Sequence, residues 1–206
     1  MDEIAIYKEK KGKKILKIYK DDDAENPREW DNFGKMACFH KNYVLGDKTE
    51  LKSDNFEGWN ELKEHLIKEE KAILIFPLYL YDHSGITIKI GSFEGLLPQG
   101  HAYFDSGCVG FIYCTKEDIL REYQKVNKKT LKQAEKRLFD EIEIYDQYLR
   151  GDIYGYILEK EQKCKCCKRE MNEEINSCWG FFGYDFKDNG LFESADININ
   201  DFEKIE

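Results

Sequence analysis

The stretch "LIFPLYLYDHSGITIKIG", from Leu74 to Gly91, decides how the chain folds. Two apolar runs flank four polar or small residues, Asp82, His83, Ser84 and Gly85. Asp and Ser bond the nearby backbone and Gly tolerates a positive φ, so the pattern predicts two antiparallel strands joined by a tight turn. A histidine at such a turn can also act as a general base if a carboxylate orients it. The stretch therefore predicts a hairpin and a candidate site together.

Further β-prone and helical patterns lie on either side of this hairpin. Two β-prone runs around a Lys-Gly turn, in "IAIYKEKKGKKILKIY" from Ile4 to Tyr19, predict an N-terminal hairpin. Pro77 inside its strand predicts an edge or a bulge. Three helices are predicted: Trp59 to Glu70, Lys116 to Gln124 after a Thr115–Asp118 capping box, and Leu131 to Leu149 after a Thr130–Gln133 box. Three more strands are predicted in "GCVGFIYCT", "IYGYILEK" and "INSCWGFFGY". This order predicts an α+β fold with a mixed, mainly antiparallel sheet and a helical block of two or three helices.

Length and charge predict how the chain is organised. The chain has 206 residues, 41% of them apolar, which predicts one α+β domain over residues 1–206. Residues 1–20 are predicted to be a basic β-hairpin appendage and residues 185–206 an acidic tail. The net charge of −9 disfavours direct binding of nucleic acid through the surface as a whole.

Composition also predicts the compartment and the state of the cysteines. The chain has no apolar run of about 18 residues, so we expect no membrane contact. It opens without an apolar signal region, and we expect a cytoplasmic protein. Its seven cysteines are then expected to be reduced thiols or metal ligands rather than disulfides.

Histidine and carboxylate residues concentrate in irregular stretches and form the candidate catalytic set. Three of the four histidines lie in Asp- and Gly-rich segments, and His65 alone lies on a predicted helix. A neutral imidazole needs an orienting carboxylate to act as a base. "GHAYFDSGCVG" also contributes His101, and the first irregular segment contributes Cys38. The candidate catalytic residues are His83, His40, Asp31, Asp82, Asp105 and Ser106.

The cysteine-rich stretch "KCKCCKREMNEEINSC" is a candidate metal site. Cys164 and Cys167 have the C-x-x-C spacing that lets two thiolates hold one ion, and Cys178 is the nearest further ligand. Cys166 would join only with strained local geometry. Zinc and reduced thiols in a hairpin loop are both open, with no cofactor the favoured interpretation.

Five motifs occur in an order that resembles a widespread family of small proteins of phages, prophages and mobile elements. They are "NPREWDNFGKMACFHKNYVLGDK", "PLYLYDHSGITI", "DSGCVGFIYCTKEDILREY", "YDQYLRGDIYGYILE" and "NSCWGFFGYD", and they span roughly Lys20 to Tyr184. The chain departs from the family pattern at "GLLPQGHAYFDSG", where an aromatic Cys-Pro-Trp approach is usual, and at its cysteine cluster.

The resemblance implies a counter-defence role in the host cytoplasm. We expect a protein that inhibits a CRISPR effector nuclease by docking an acidic surface on a host nucleic-acid-processing partner. Two alternatives stay open: a small enzyme acting on nucleic acid or a nucleotide through a His/Asp site, and a non-enzymatic regulatory binding module. The residues expected to bind the partner are Asp21, Asp22, Asp23, Trp30 and Trp179. For "SCWGFFGYD" the alternatives are base stacking and a core strand, and the core strand is favoured.

Overall fold

In the computed structural model the chain forms two compact units, each with its own antiparallel sheet. The structure describes residues 2–97 and 100–205. We call Asn26–Arg150 the central unit, and Met1–Glu25 with Gly151–Glu206 the terminal unit. Strands and helices occur in both, so the predicted α+β fold is confirmed.

The central unit is built on a four-stranded sheet. Its strands are β3 (Lys35–Cys38), β4 (Ala72–Asp82), β5 (Ile86–Ile90) and β6 (Ser106–Thr115). Their order is β3-β6-β4-β5, and every neighbouring pair is antiparallel. Pro77 lies opposite Phe111 inside β4, and the register shifts between Leu78 and Tyr79. β5 pairs with β4 only from Leu78 onward, and the Gly91 amide donates to the Pro77 carbonyl at 2.9 Å, so the proline nitrogen points to the side of β4 on which β5 has ended.

Helices cover both faces of this sheet. Successive side chains of β6 point to opposite faces and so pack in two different cores. Ile112 and Cys114 pack in a core with helix α4 (Lys128–Arg150). Phe111 and Tyr113 pack in a smaller core with helix α1 (Trp59–Lys68). The buried positions of α4 recur every three or four residues: Ala134, Leu138, Ile142 and Tyr145. Each of its large aliphatic side chains contributes about 1.5–3 kcal/mol on burial.

One predicted helix cap is confirmed and the other is wrong. Thr115 and Asp118 form the predicted reciprocal box at the start of helix α3 (Lys116–Tyr123). The predicted Thr130–Gln133 box is not used, because α4 begins three residues earlier. There the Asn127 side chain accepts the Thr130 amide at 3.1 Å, and the Asn127 amide donates to the Thr130 hydroxyl at 2.9 Å.

The terminal unit holds both ends of the chain in one sheet. Its strands are β1 (Glu3–Glu9), β2 (Lys14–Lys20), β7 (Ile153–Lys163), β8 (Glu170–Phe182) and β9 (Phe202–Lys204). They run in the order β8-β7-β2-β1-β9. The predicted hairpin β1–β2 is present, but β7 and β9 pair with its two sides. The expected basic appendage and acidic tail therefore both contribute strands to this sheet.

Ion pairs explain how a lysine-rich hairpin is accommodated in this sheet. Lys17 contacts Glu159 at 2.8 Å, and Lys8 contacts Glu161 at 2.7 Å. Both glutamates lie on β7, so the local excess of positive charge meets carboxylates on the neighbouring strand.

None of the helices among the described residues is long and apolar enough to cross a membrane.

Candidate functional site

The β4–β5 connection is the tight turn predicted from its sequence. Asp82 pairs with Ile86, and the His83 amide donates to the Gly85 carbonyl at 3.0 Å. Ser84 has a φ of 59° and Gly85 a φ of 148°, in the region where turn residues favour glycine. The turn leaves His83 exposed at the end of the sheet.

His83 meets His101 and Asp105 at this end, and we call these three residues the His–Asp cluster. Helix α2 (His101–Phe104) places His101 four residues before Asp105, so both side chains lie on one side of that turn. Asp105 Oδ2 lies 3.3 Å from His83 Nδ1 and 3.5 Å from His101 Nδ1. The Asp82 amide donates to the Asp105 carbonyl at 2.8 Å, which ties the turn to the helix.

The spacing of the cluster fits the coordination shell of a metal ion. Bonds of about 2.0–2.1 Å from zinc to nitrogen or oxygen, at tetrahedral angles, separate two ligand atoms by about 3.4 Å. The two Asp105 distances lie close to that value, and the ligand atoms of all three residues lie within 4.8 Å of one another. Two imidazoles and one carboxylate are ligands that Zn²⁺, Fe²⁺ and Mn²⁺ accept.

The irregular segment after β3 reaches the same hairpin tip. The Tyr43 hydroxyl donates to Asp82 Oδ2 at 3.0 Å. This bond raises the pKa of Tyr43, because ionising the phenol would remove the donor. The His40 ring stacks on Tyr43 with centroids 5.0 Å apart. Tyr43 therefore links the hairpin tip to the irregular segment, since its hydroxyl contacts Asp82 and its ring stacks on His40.

An ion-pair network fixes this segment to the body of the central unit. Arg28 is buried and contacts Asp47 at 2.8 Å and Glu141 at 3.2 Å. It also donates to the Gly34 carbonyl at 2.7 Å, and Asp47 accepts the Met36 amide at 2.7 Å. Because Asp47 and Gly34 lie on either side of His40 and Tyr43 in the chain, the network anchors both ends of the segment that presents them.

An open cleft of about 590 Å³ adjoins the tip. His40 and Tyr43 form part of its wall, together with Lys41, Lys48 and Trp59. The cleft therefore combines aromatic surface with two exposed ammonium groups, of which that of Lys48 pairs with Glu29 at 3.0 Å, and Tyr43 in its wall contacts Asp82.

Two of the predicted catalytic residues, Asp31 and Ser106, and the thiol of Cys38 belong neither to the cluster nor to the Tyr43–Asp82 contact beside it. Asp31 is exposed in the loop before β3, and no described hydrogen bond joins it to the cluster. The Ser106 hydroxyl donates to the Ala102 carbonyl, so it holds helix α2 to β6. Cys38 is buried in the core, and burial raises its pKa.

The predicted partner-binding residues fall on both units. Asp21 Oδ2 accepts the Gly180 amide at 3.1 Å, which places Asp21 beside Trp179 on the terminal unit. Trp179 packs on Tyr19, with ring centroids 6.3 Å apart. It also covers Gly155, where an added Cβ would lie 2.0 Å from the Trp179 ring. Asp22 and Asp23 are exposed next to this surface, whereas Trp30 is exposed on the central unit.

The predicted cysteine ligands separate in the structure. Cys164 and Cys167 lie in the turn between β7 and β8, but Cys178 lies opposite Tyr156, seven residues from the end of β7. At about 3.3 Å per residue that is about 23 Å from the turn. Cys166, which was expected to join the site only with strained local geometry, lies beside Cys164 and Cys167 and is the third thiol at the turn. The pKa of Cys164 is lowered to about 6, because its sulfur accepts a hydrogen bond from the Cys166 thiol and further bonds from the amides of Cys167 and Cys166.

Sequence reasoning missed Tyr43 and did not assign His101 a role. The four-residue spacing of His101 and Asp105 was a usable signal, because it places two side chains on one helical face. No comparable signal pointed to Tyr43, since its contact with Asp82 joins segments 39 residues apart.

None of the known protein-family models matches the chain, and no curated protein or solved structure matches it. The resemblance to proteins of phages and mobile elements therefore stays a prediction.

Proposed function

We propose that the His–Asp cluster binds a divalent transition-metal ion and that the protein is a small metal-dependent hydrolase of phosphate esters. The observation that carries this proposal is the convergence of two imidazoles on one carboxylate oxygen, at 3.3 and 3.5 Å. Three protein ligands leave coordination positions for water and substrate, as in catalytic rather than structural sites. A bound ion would acidify its water and polarise a phosphoryl oxygen.

The surroundings of the cluster support this chemistry. Asp82 is exposed, neighbours His83 in sequence, and is oriented by Tyr43, so its carboxylate can take a proton from an attacking water. Lys41 and Lys48 in the adjoining cleft suit a phosphate group, and the cleft's aromatic rings suit a base. The net charge of −9 favours a nucleotide or a single-stranded end over a long duplex.

Metal titration tests the site. We expect His83→Ala, His101→Ala and Asp105→Asn each to weaken Mn²⁺ binding at least about tenfold, because each removes one ligand. Mn²⁺ prefers nitrogen and oxygen ligands, so binding measured by electron paramagnetic resonance does not report the cysteines. His65→Gln is the control, since His65 lies on α1 against Phe56. Unchanged Mn²⁺ affinity in all three ligand variants would reject the site.

Activity is tested separately on bis(p-nitrophenyl) phosphate and on short single-stranded oligonucleotides. We expect metal-dependent hydrolysis that the three ligand variants lose and His65→Gln retains. Asp82→Asn should lower the turnover number while leaving Mn²⁺ affinity within about twofold, because Asp82 is assigned as a base and not as a ligand. Metal binding without hydrolysis of any substrate would reject the enzyme but keep the site.

A second function, binding of a protein partner, is favoured by the surface around Trp179. The Asp21–Gly180 hydrogen bond brings three consecutive aspartates beside a partly exposed tryptophan. An aromatic anchor rimmed by charge is typical of binding hot spots, and acidic residues suit the positive channel of a nuclease. This is the surface through which we propose inhibition of a CRISPR effector.

Stoichiometric inhibition tests this second function. We expect the protein to inhibit its effector at about one equivalent, and Trp179→Ala or the pair Asp22→Lys and Asp23→Lys to abolish binding in pull-downs. The pair Asp185→Lys and Asp188→Lys is the matched control, because it makes the same change of charge at two other exposed acids of the terminal unit. If the variant Asp22→Lys with Asp23→Lys bound the effector as tightly as the control pair, this surface would be excluded as the binding site.

A further inference from the structure

The turn between β7 and β8 gathers three thiols outside the site described above. The Cys164 amide donates to the Arg169 carbonyl at 2.8 Å, and the Lys168 amide donates to the Cys164 carbonyl at 2.9 Å. These bonds close the loop "CKCCKR", with Lys168 in a left-handed conformation at φ 59°. The sulfurs of Cys164, Cys166 and Cys167 then all lie within 4.8 Å of one another.

The backbone of the turn supports Cys164 as a metal ligand. Its sulfur accepts hydrogen bonds from the amides of Cys166 and Cys167. Amides that point at a thiolate stabilise its charge and fix its direction, which is the usual role of groups surrounding a metal ligand. Lys163 precedes the loop, Lys165 and Lys168 lie within it, and all three further offset the charge of three thiolates.

We propose that Cys164, Cys166 and Cys167 form a three-thiolate site for Zn²⁺, with the fourth coordination position open to water or an external ligand. Zinc–sulfur bonds of about 2.3 Å at tetrahedral angles separate two sulfurs by about 3.8 Å. The sulfurs of Cys164 and Cys166 lie 3.0 Å apart, so zinc binding requires the distance between them to increase by less than 1 Å. All three cysteines lie at the surface, Cys164 half-buried and the other two exposed, where such a movement meets little packing.

This ligand set differs from the one that the spacing of the cysteines suggests. Cys178 is exposed on β8 but lies opposite Tyr156, far along the ladder from the turn. The adjacent pair Cys166 and Cys167 supplies the second and third sulfurs instead. The site is therefore local to six residues and needs no other part of the chain.

Cobalt substitution tests the site without interference from the His–Asp cluster, since only sulfur ligands give a thiolate-to-cobalt charge-transfer band in the near ultraviolet. Measured under reducing conditions, the wild type should show this band at one equivalent of Co²⁺ and lose it when Zn²⁺ is added. Cys164→Ser, and the triple serine variant of the three cysteines, should lose the band and weaken Zn²⁺ binding at least about 100-fold in chelator competition.

Two controls decide between this site and the alternatives. Cys178→Ser should keep the band and its loss on adding Zn²⁺, and so should the double variant His83→Ala with His101→Ala, because neither change touches the three thiolates. Circular dichroism should show that the triple variant keeps the wild-type fold, because the loop is exposed. A wild type without the band, a triple variant that retains it, or loss of the band in Cys178→Ser would each overturn the proposal.

Discussion

Replacing Arg28 with methionine is expected to lower the free energy of unfolding of the central unit by about 3–5 kcal/mol. The guanidinium is buried and contacts Asp47, Glu141 and the Gly34 carbonyl. Methionine fills much of the same volume but removes the cation nearest to Glu141, a largely buried carboxylate whose other cation, Arg137, lies 4.0 Å away. Urea unfolding followed by circular dichroism and tryptophan fluorescence measures the loss.

Lys136→Met is the control for Arg28→Met. Lys136 forms an exposed pair with Asp140 at 3.9 Å on the surface of α4. A surface pair of this kind contributes less than about 1 kcal/mol, because both charges stay hydrated. If Arg28→Met were no more destabilising than Lys136→Met, the network would not anchor the segment that carries His40 and Tyr43.

Replacing Gly110 with alanine is expected to destabilise the central unit by at least about 3 kcal/mol. Gly110 has a φ of 152°, which side chains other than hydrogen rarely adopt. An added Cβ would lie 2.0 Å from the Ala37 carbonyl oxygen and 2.8 Å from Cys38 Cα. Both atoms belong to the backbone of β3, so the strand must move away from β6 and lose pairing.

Gly107→Ala tests whether the effect of Gly110→Ala is steric. Gly107 lies on the same strand, and apart from Gly107 and its two chain neighbours no described residue has an atom within 4 Å of a Cβ built there. Its substitution should change the free energy of unfolding by no more than about 0.5 kcal/mol. Equal stability of the two alanine variants in urea would mean that β3 does not pack against Gly110 as closely as the structure indicates.

Local sequence patterns predicted most of the elements of the fold. The turn at Asp82–Gly85, the hairpin β1–β2 and the Thr115–Asp118 cap each depend on residues a few positions apart, and all three are present. The cap of α4 was misplaced because Thr130 and Gln133 satisfy the same pattern as the true Asn127–Thr130 pair. Strand β9 was missed because three residues are too few to show a period.

The candidate site was predictable only in part, because its geometry depends on distant pairing. His83, Asp82 and Asp105 were named from their neighbours in sequence. Their meeting depends on the register of β4 and β6, which places Tyr81 opposite Ser106. The same limit explains the error over Cys178, since its distance from Cys164 is set by the β7–β8 register and not by their separation in sequence.

The pairing of β2 with β7 also sets the order in which the chain can fold during translation. Lys20 pairs with Tyr154, and the start of β7 at Ile153 comes 133 positions after the last residue of β2. At about 5–20 residues per second, the ribosome needs roughly 7–27 s to synthesise that interval. The central unit is synthesised whole within it, whereas the N-terminal hairpin waits with both strand edges unpaired. We therefore expect ribosome-bound chains in which Arg150 has left the exit tunnel but β7 has not to protect the central unit from protease and leave the first 20 residues sensitive.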